Sequence, residues 1–399
     1  MIAITGGDLV LADRIVSEGA LFIDDGRIAA LESRRADVAG ATVVDATGCY
    51  IVPGFIDVHV HGVEGLDTLD GDGSVARIAS RLVRYGVTAF CPTTVACAPD
   101  ELRVFLGQVR DRRVTPDASA ARVLPAHLES NFINPEFRGA QPAACLRTAA
   151  GPPRNGEYSG LDILAAIEHA RPDVGIVTLA PELPGGIDLV RSLVAAGHRV
   201  SLGHSGADFD TAVAAIEAGA RHATHLFNRM TPIQHRAPGL AGAVLAREDV
   251  AAELICDGFH VHAAMSRMAI AAKGCHRMMA ITDATAGAGL PVGSTARLGG
   301  RQINVRQEAA FLDDGTLAGS TLTMNRAFGA IVTKFGGSLV DAVVMCSTTP
   351  ARELGLTGFG VLAEGAIADL VVLDRNFEVI RTYIGGEQVW VNWNARADV

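Results

Sequence analysis

The chain has 399 residues, with 34 Lys and Arg against 44 Asp and Glu, for a formal net charge of −10. Apolar residues make up 49% and charged residues 20%, enough for a sizeable core and unlike a disordered or collagen-like chain. The acidic balance and an aromatic content of 5% argue against nucleic acid or an anionic membrane as a partner, since these call for basic stripes or stacking rings.

The first residues, Met1 to Asp8, lack the basic and apolar regions of a secretory signal. No stretch approaches the ~18 uninterrupted apolar residues that span a bilayer. Seven Cys with no C-x-x-C pair suit a reducing compartment, so a soluble cytoplasmic protein is expected.

Residues 1–53 read as short strands: Asp8 to Leu11, Ala20 to Ile23 and Arg27 to Leu31, with a hairpin signal at Asp24-Asp25-Gly26. Residues 351–399 read the same way, with apolar runs at 368–373, 378–384 and 388–391. Two β-rich ends around a different middle predict one small β-sandwich domain built from both termini. Between them, 54–350 alternates β-branched runs with helical spacing. Strands are expected at 54–61, 88–92, 122–128, 175–179, 199–203, 222–226, 252–255 and 278–282. Helices are expected at 74–85, 100–111, 160–171, 187–196, 208–218 and 262–273. This rhythm predicts a (β/α)8 TIM barrel. A doubly wound open sheet is the alternative, but no G-x-G-x-x-G follows the first strand.

The chemistry gathers at the ends of these strands. His59 and His61 are two apart on the first one, so the strand's period of two puts both imidazoles on one face. Glu129, His204, His225 and Asp283 each follow a later strand. If the barrel closes, all six meet at its C-terminal mouth, where such folds keep their active sites. Imidazole and carboxylate suit Zn²⁺, Mn²⁺ or Fe²⁺, and the lack of nearby Cys argues against a structural zinc site.

At these positions the sequence resembles the amidohydrolase superfamily, whose entry motif is similar to Pro53-Gly-Phe-Ile-Asp57-Val-His59-Val-His61-Gly62. Within it, His127-Leu-Glu129, Gly203-His204-Ser205, Ala223-Thr-His225-Leu-Phe-Asn228, Asp257-Gly-Phe-His260 and Thr282-Asp283-Ala284 resemble the N-acetylglucosamine-6-phosphate deacetylases. The resemblance implies metal-dependent removal of an N-acetyl group from an amino-sugar phosphate. It makes Glu129, His204 and His225 the principal metal ligands, and His59 and His61 a second site sharing Glu129. It implies zinc above iron or manganese, with one or two ions per subunit. Asp283 would be the catalytic acid and base. Asn228, Arg236 and His260 would contact the sugar phosphate, the last two from the neighbouring subunit of a homodimer with shared active sites.

The chain departs from the family pattern at Ser130-Asn131, at Gln141 where His is usual, at Gly206 and at Arg229. Gln141 is expected near the scissile amide. Arg229 is either a surface residue or an extra clamp on phosphate. His127, His222 and His262 read as core or supporting residues. Two other functions compete: an amidohydrolase for a different N-acyl or cyclic amide, and an inactive barrel serving as a binding module.

Overall fold

The computed structural model describes residues 1–33, 38–153, 157–307 and 309–393. Eight parallel strands form the barrel: Phe55–Val60, Val87–Thr94, Ala126–Glu129, Val174–Leu179, Arg199–Leu202, His222–Ala223, Ala251–Ile255 and Met278–Ile281. Neighbours in this order pair with one another, and Phe55–Val60 pairs with Val87–Thr94. The ring is closed where the first strand meets the end of the eighth. There the Asp283 N–H donates to His59 O at 3.0 Å and the His61 N–H donates to Ala284 O at 2.8 Å. Thr282 Oγ1 adds a side-chain bond to Asp57 Oδ2 at 2.6 Å. These bonds rule out the open sheet.

Strand burial explains the sequence pattern. Residues 55–60 and 87–94 are buried throughout, as expected of parallel strands covered on both faces. Helices Ser74–Leu82, Pro99–Val114, Gly160–His169, Gly186–Ala195, Phe209–Glu217 and Ala263–Lys273 fall where the spacing places them. Asp208 starts one of them by accepting the Thr211 N–H at 2.8 Å, and Ser159 with Asp162 starts another.

Both chain ends share one eight-stranded sheet. Leu370–Leu373 lies antiparallel to Tyr50–Pro53, joining C-terminal strands to N-terminal ones over a core that includes Ile4, Leu21, Ile51 and Tyr383. The Asp24-Asp25-Gly26 hairpin forms as expected, with Asp25 and Gly26 at φ of 45° and 73°.

Several pieces lie outside the sequence expectation, among them helix Met324–Thr333. Helix Gly239–Ala246 follows the sixth strand. After the eighth strand comes a four-stranded antiparallel sheet, Thr295–Leu298, Arg301–Val305, Ala309–Phe311 and Leu317–Ser320. Its last strand returns to the barrel, where the Ser320 N–H donates to Asp283 O at 2.8 Å and Ser320 Oγ donates to Thr282 O at 2.5 Å.

Candidate active site

All six strand-end residues meet at the C-terminal mouth. Glu129 Oε1 lies 2.8 Å from both His204 Nε2 and His225 Nε2, and those two nitrogens are 3.0 Å apart. His59 Nε2 and His61 Nε2 are 3.1 Å apart, at 3.8 and 3.5 Å from the two Glu129 oxygens. Asp283 Oδ1 sits 3.4 Å from His59 Nε2 and 3.3 Å from His61 Nε2. The six side chains are at least nine-tenths buried.

Three of these residues leave their strands through the left-handed region: His204, His225 and Asp283 have φ of 47°, 27° and 50°. For a residue with a Cβ this costs about 1–2 kcal/mol, so the surrounding bonds must hold it. For Asp283 those bonds are the closure bond from its own N–H to His59 O and the Ser320 N–H on its carbonyl.

Tautomers are set from behind. His204 Nδ1 donates to Phe137 O at 2.8 Å and His59 Nδ1 donates to Glu253 Oε2 at 2.9 Å, leaving both Nε2 lone pairs facing the mouth. The Nδ1 atoms of His61 and His225 have no hydrogen-bond partner among the described residues. Burial drives His59 down to about 4. Burial also opposes charge on His61 and His225, but Asp283 and Glu129 raise His61 to about 10 and Glu129 raises His225 to about 9. Against the cost of burial, His204, His225 and His61 hold Glu129 well below the usual carboxylate range. His59 and His61 likewise lower Asp283. Two buried carboxylates thus draw protons onto His61 and His225, two of the imidazoles that converge. A divalent cation is the charge this N and O donor set fits, and Glu129–His204–His225 and His59–His61–Glu129 are each close enough to hold one.

The remaining expected residues divide. Gln141, Asn228, Arg229 and His260 line the cleft over Glu129 and Asp283. Gln141 is turned onto Glu129: its Nε2 donates to Oε2, and its own Oε1 accepts the Ala96 N–H at 2.7 Å. Arg229 is an exposed residue at the rim, packed against Gly139. His260, expected to cross to a neighbour, lines the cleft of its own chain. Asp257 turns it inward, accepting the His260 N–H at 2.9 Å and holding Nδ1 at 2.6 Å. Arg236 is exposed on the loop at 232–237 and is not part of this cleft.

The departures from the family pattern have local causes. Ser130 Oγ donates to Thr178 O at 2.5 Å, and Asn131 Nδ2 donates to Cys97 O and Cys145 O at 2.8 and 2.7 Å, so both are absorbed in loop packing. At Gly206 a Cβ would stand 2.6 Å from the Phe137 ring, leaving no room for a larger residue. Among the supporting histidines, His127 is a buried core residue whose ring nitrogens bond Val58 O and Thr178 Oγ1. His222 is buried, but His262 is exposed and caps the helix Ala263–Lys273 by accepting the Ala264 N–H at 3.2 Å.

Sequence reasoning missed Glu253. It is fully buried in the middle of the strand Ala251–Ile255 and touches both His59 and the His225 N–H. The signal was present, since a carboxylate inside an apolar strand demands a partner.

A parallel barrel whose mouth brings four imidazoles and two carboxylates together defines a metal-dependent hydrolase. The amidohydrolase family model matches residues 50–389, and the chain belongs to that family. It is 33% identical to N-acetylglucosamine-6-phosphate deacetylase of Bacillus subtilis, covering 97% of this chain and 96% of the relative. Identity to the Bos taurus deacetylase of that name is 37%, covering 98% and 94%. A solved mutant of N-acetyl-D-glucosamine-6-phosphate deacetylase from Mycobacterium smegmatis, in complex with N-acetyl-D-glucosamine-6-phosphate, is 32% identical. It superposes with a TM-score of 0.87, covering 97% of this chain and 99% of that one.

Proposed function

We propose that this chain removes the acetyl group of N-acetylglucosamine 6-phosphate, giving glucosamine 6-phosphate and acetate in amino-sugar catabolism. The observation that carries the reading is the convergence of His204 and His225 on Glu129 Oε1, with Asp283 facing the same space. Near-full-length similarity to deacetylases narrows the bond to a linear amide.

Glu129, His204 and His225 would hold one divalent ion, and His59 and His61 a second with Glu129 shared; we favour zinc over iron or manganese. A bound ion acidifies water and polarises an amide carbonyl. Asp283 takes a proton from the attacking water and returns it to the departing nitrogen, which leaves poorly unless protonated. Gln141 keeps the Glu129 carboxylate aligned. Asn228 and His260 are placed for sugar and phosphate oxygens, and Arg229 offers a planar fork to phosphate at the rim.

By its resemblance to the family the chain would form a homodimer in which Arg236, exposed and outside its own cleft, serves the neighbouring one. We assign catalysis to residues 54–350, with 1–53 and 351–399 forming the β domain. No helix among the described residues is long and apolar enough to cross a membrane. Seven free cysteines support a cytoplasmic location.

A screen of N-acetylated amino sugars with and without 6-phosphate, reading free amine, tests the function. Release from N-acetylglucosamine 6-phosphate well above the unphosphorylated sugar is expected. Turnover of cyclic amides alone would overturn the reading.

A further inference from the structure

At the other end of the barrel lies a cavity of about 380 Å³ lined by eleven residues, four of them Arg: Arg112, Arg113, Arg122 and Arg199. No carboxylate among the described residues lines it, although the chain carries 44 acidic groups against 34 basic ones. Arg122 and Arg199 are the first residues of the strands Arg122–Val123 and Arg199–Leu202. The cavity therefore sits at the N-terminal face, about 16 Å along the strand from His204 at ~3.3 Å per residue.

Two of the four guanidinium groups are already engaged. Arg113 pairs with Asp173 and donates to Pro172 O, while Arg122 grips Asp369 with two bonds of 3.0 and 3.1 Å. The guanidinium groups of Arg199 and Arg112 make no hydrogen bond or ion pair with the described residues. Arg199 is partly buried; burial lowers its pKa, and the charge of Glu353 works against that. Both guanidinium groups therefore keep donors that no protein acceptor takes up, and an anion entering the cavity would engage them. The rest of the wall is largely apolar, with Leu124, Pro125, Leu354 and Leu356. A bare inorganic ion would leave that surface unused.

We propose that this cavity is a second binding site, separate from the catalytic cleft, for a small phosphate monoester. Arg199 and Arg112 hold the phosphate, and the carbon body lies against the apolar wall. Two free forks suit a phosphate dianion, which offers three oxygens, better than a single carboxylate.

Glucose 6-phosphate, which has no acetamido group to hydrolyse, is the probe, with inorganic phosphate and glucose as controls. Calorimetric titration is expected to show a site whose affinity falls at least ~10-fold in Arg199→Gln and in Arg112→Gln, with kcat/KM on the acetamido substrate within about twofold of wild type. Arg112 lies near the end of its helix, so that variant reports even if Arg199→Gln fails to fold. Inorganic phosphate should bind more weakly than the sugar phosphate, and glucose not at all. Affinity unchanged in Arg112→Gln, or no saturable binding of glucose 6-phosphate, would overturn the proposal. Equal binding of inorganic phosphate would overturn the role of the apolar wall.

Discussion

His59 donates its Nδ1 proton to Glu253 Oε2 across 2.9 Å, and the same oxygen receives the His225 backbone N–H at 3.3 Å. One buried carboxylate thus fixes a side chain of the His59–His61 pair and the backbone of a residue in the Glu129–His204–His225 group. Replacing Glu253 with Leu frees the His59 ring to turn. Metal affinity or kcat is expected to fall by about 10–100-fold, the usual cost of removing such a support. Glu253→Gln, which keeps an oxygen acceptor, should lose less. Metal content per chain by plasma mass spectrometry, alongside kcat, checks both variants. Wild-type values for Glu253→Leu would contradict the role.

Asp283→Asn keeps the shape of the residue and removes its ability to take a proton. Turnover should fall by roughly 10²–10⁴-fold, the range for losing a general acid or base, with metal content retained. Loss of metal in parallel with activity would instead make Asp283 chiefly a ligand.

Gly319 sits at φ 59°, where an added Cβ would stand 2.9 Å from the Asp283 carbonyl oxygen. Gly319→Ala therefore strains its own backbone and pushes the residue that must aim at the amide. A stability loss of about 1–3 kcal/mol is expected, together with reduced kcat. Thermal melting and steady-state kinetics read the two effects separately.

Metal binding should be linked to protons. Opposed by burial but favoured by the carboxylates, His61 and His225 have pKa values raised to about 10 and about 9, so they carry protons at neutral pH that a cation must displace. Affinity for divalent metal is expected to rise with pH between 6 and about 9, with activity removed by chelation and restored by metal. Affinity that is flat across this range would refute the linkage.

Glu353 lies far from the cleft, 2.7 Å from Arg352, 3.2 Å from Arg277 and 3.8 Å from His222. Burial works against its ionisation, but His222 and Arg352 pull its pKa to about 2. A lowered carboxylate pKa stabilises the fold above its ordinary value of 4.5, and that contribution disappears as pH falls toward about 2. Glu353→Gln should lose about 1–2 kcal/mol at neutral pH, after allowing for solvent screening. The gap from wild type should close in acid. Urea unfolding at pH 7, 4 and 2.5 measures it.

The barrel was legible because its strands and helices repeat with their own periods. Each strand is buried on both faces and each helix on one, so the apolar pattern records them locally. The convergence of His59, His61, Glu129, His204, His225 and Asp283 was also legible, since parallel strands in a closed ring carry their ends to one mouth. The four-stranded insertion left a local trace in Gly299-Gly300, a turn with both φ positive, yet nothing in its own sequence tells that Ser320 will lock Asp283. That Glu253 needs a partner could be read from its apolar strand, but that the partner is His59 could not: residues 194 apart meet only after the ring has closed. His260 turned into its own cleft because Asp257, three residues back, took its Nδ1, a choice between conformers that the chain makes only once folded. Composition and periodicity determined the fold and the kinds of atoms at its mouth. Which oxygen faces which nitrogen was decided by tertiary structure, because a hydrogen bond depends on tenths of an ångström between segments that sequence order keeps apart.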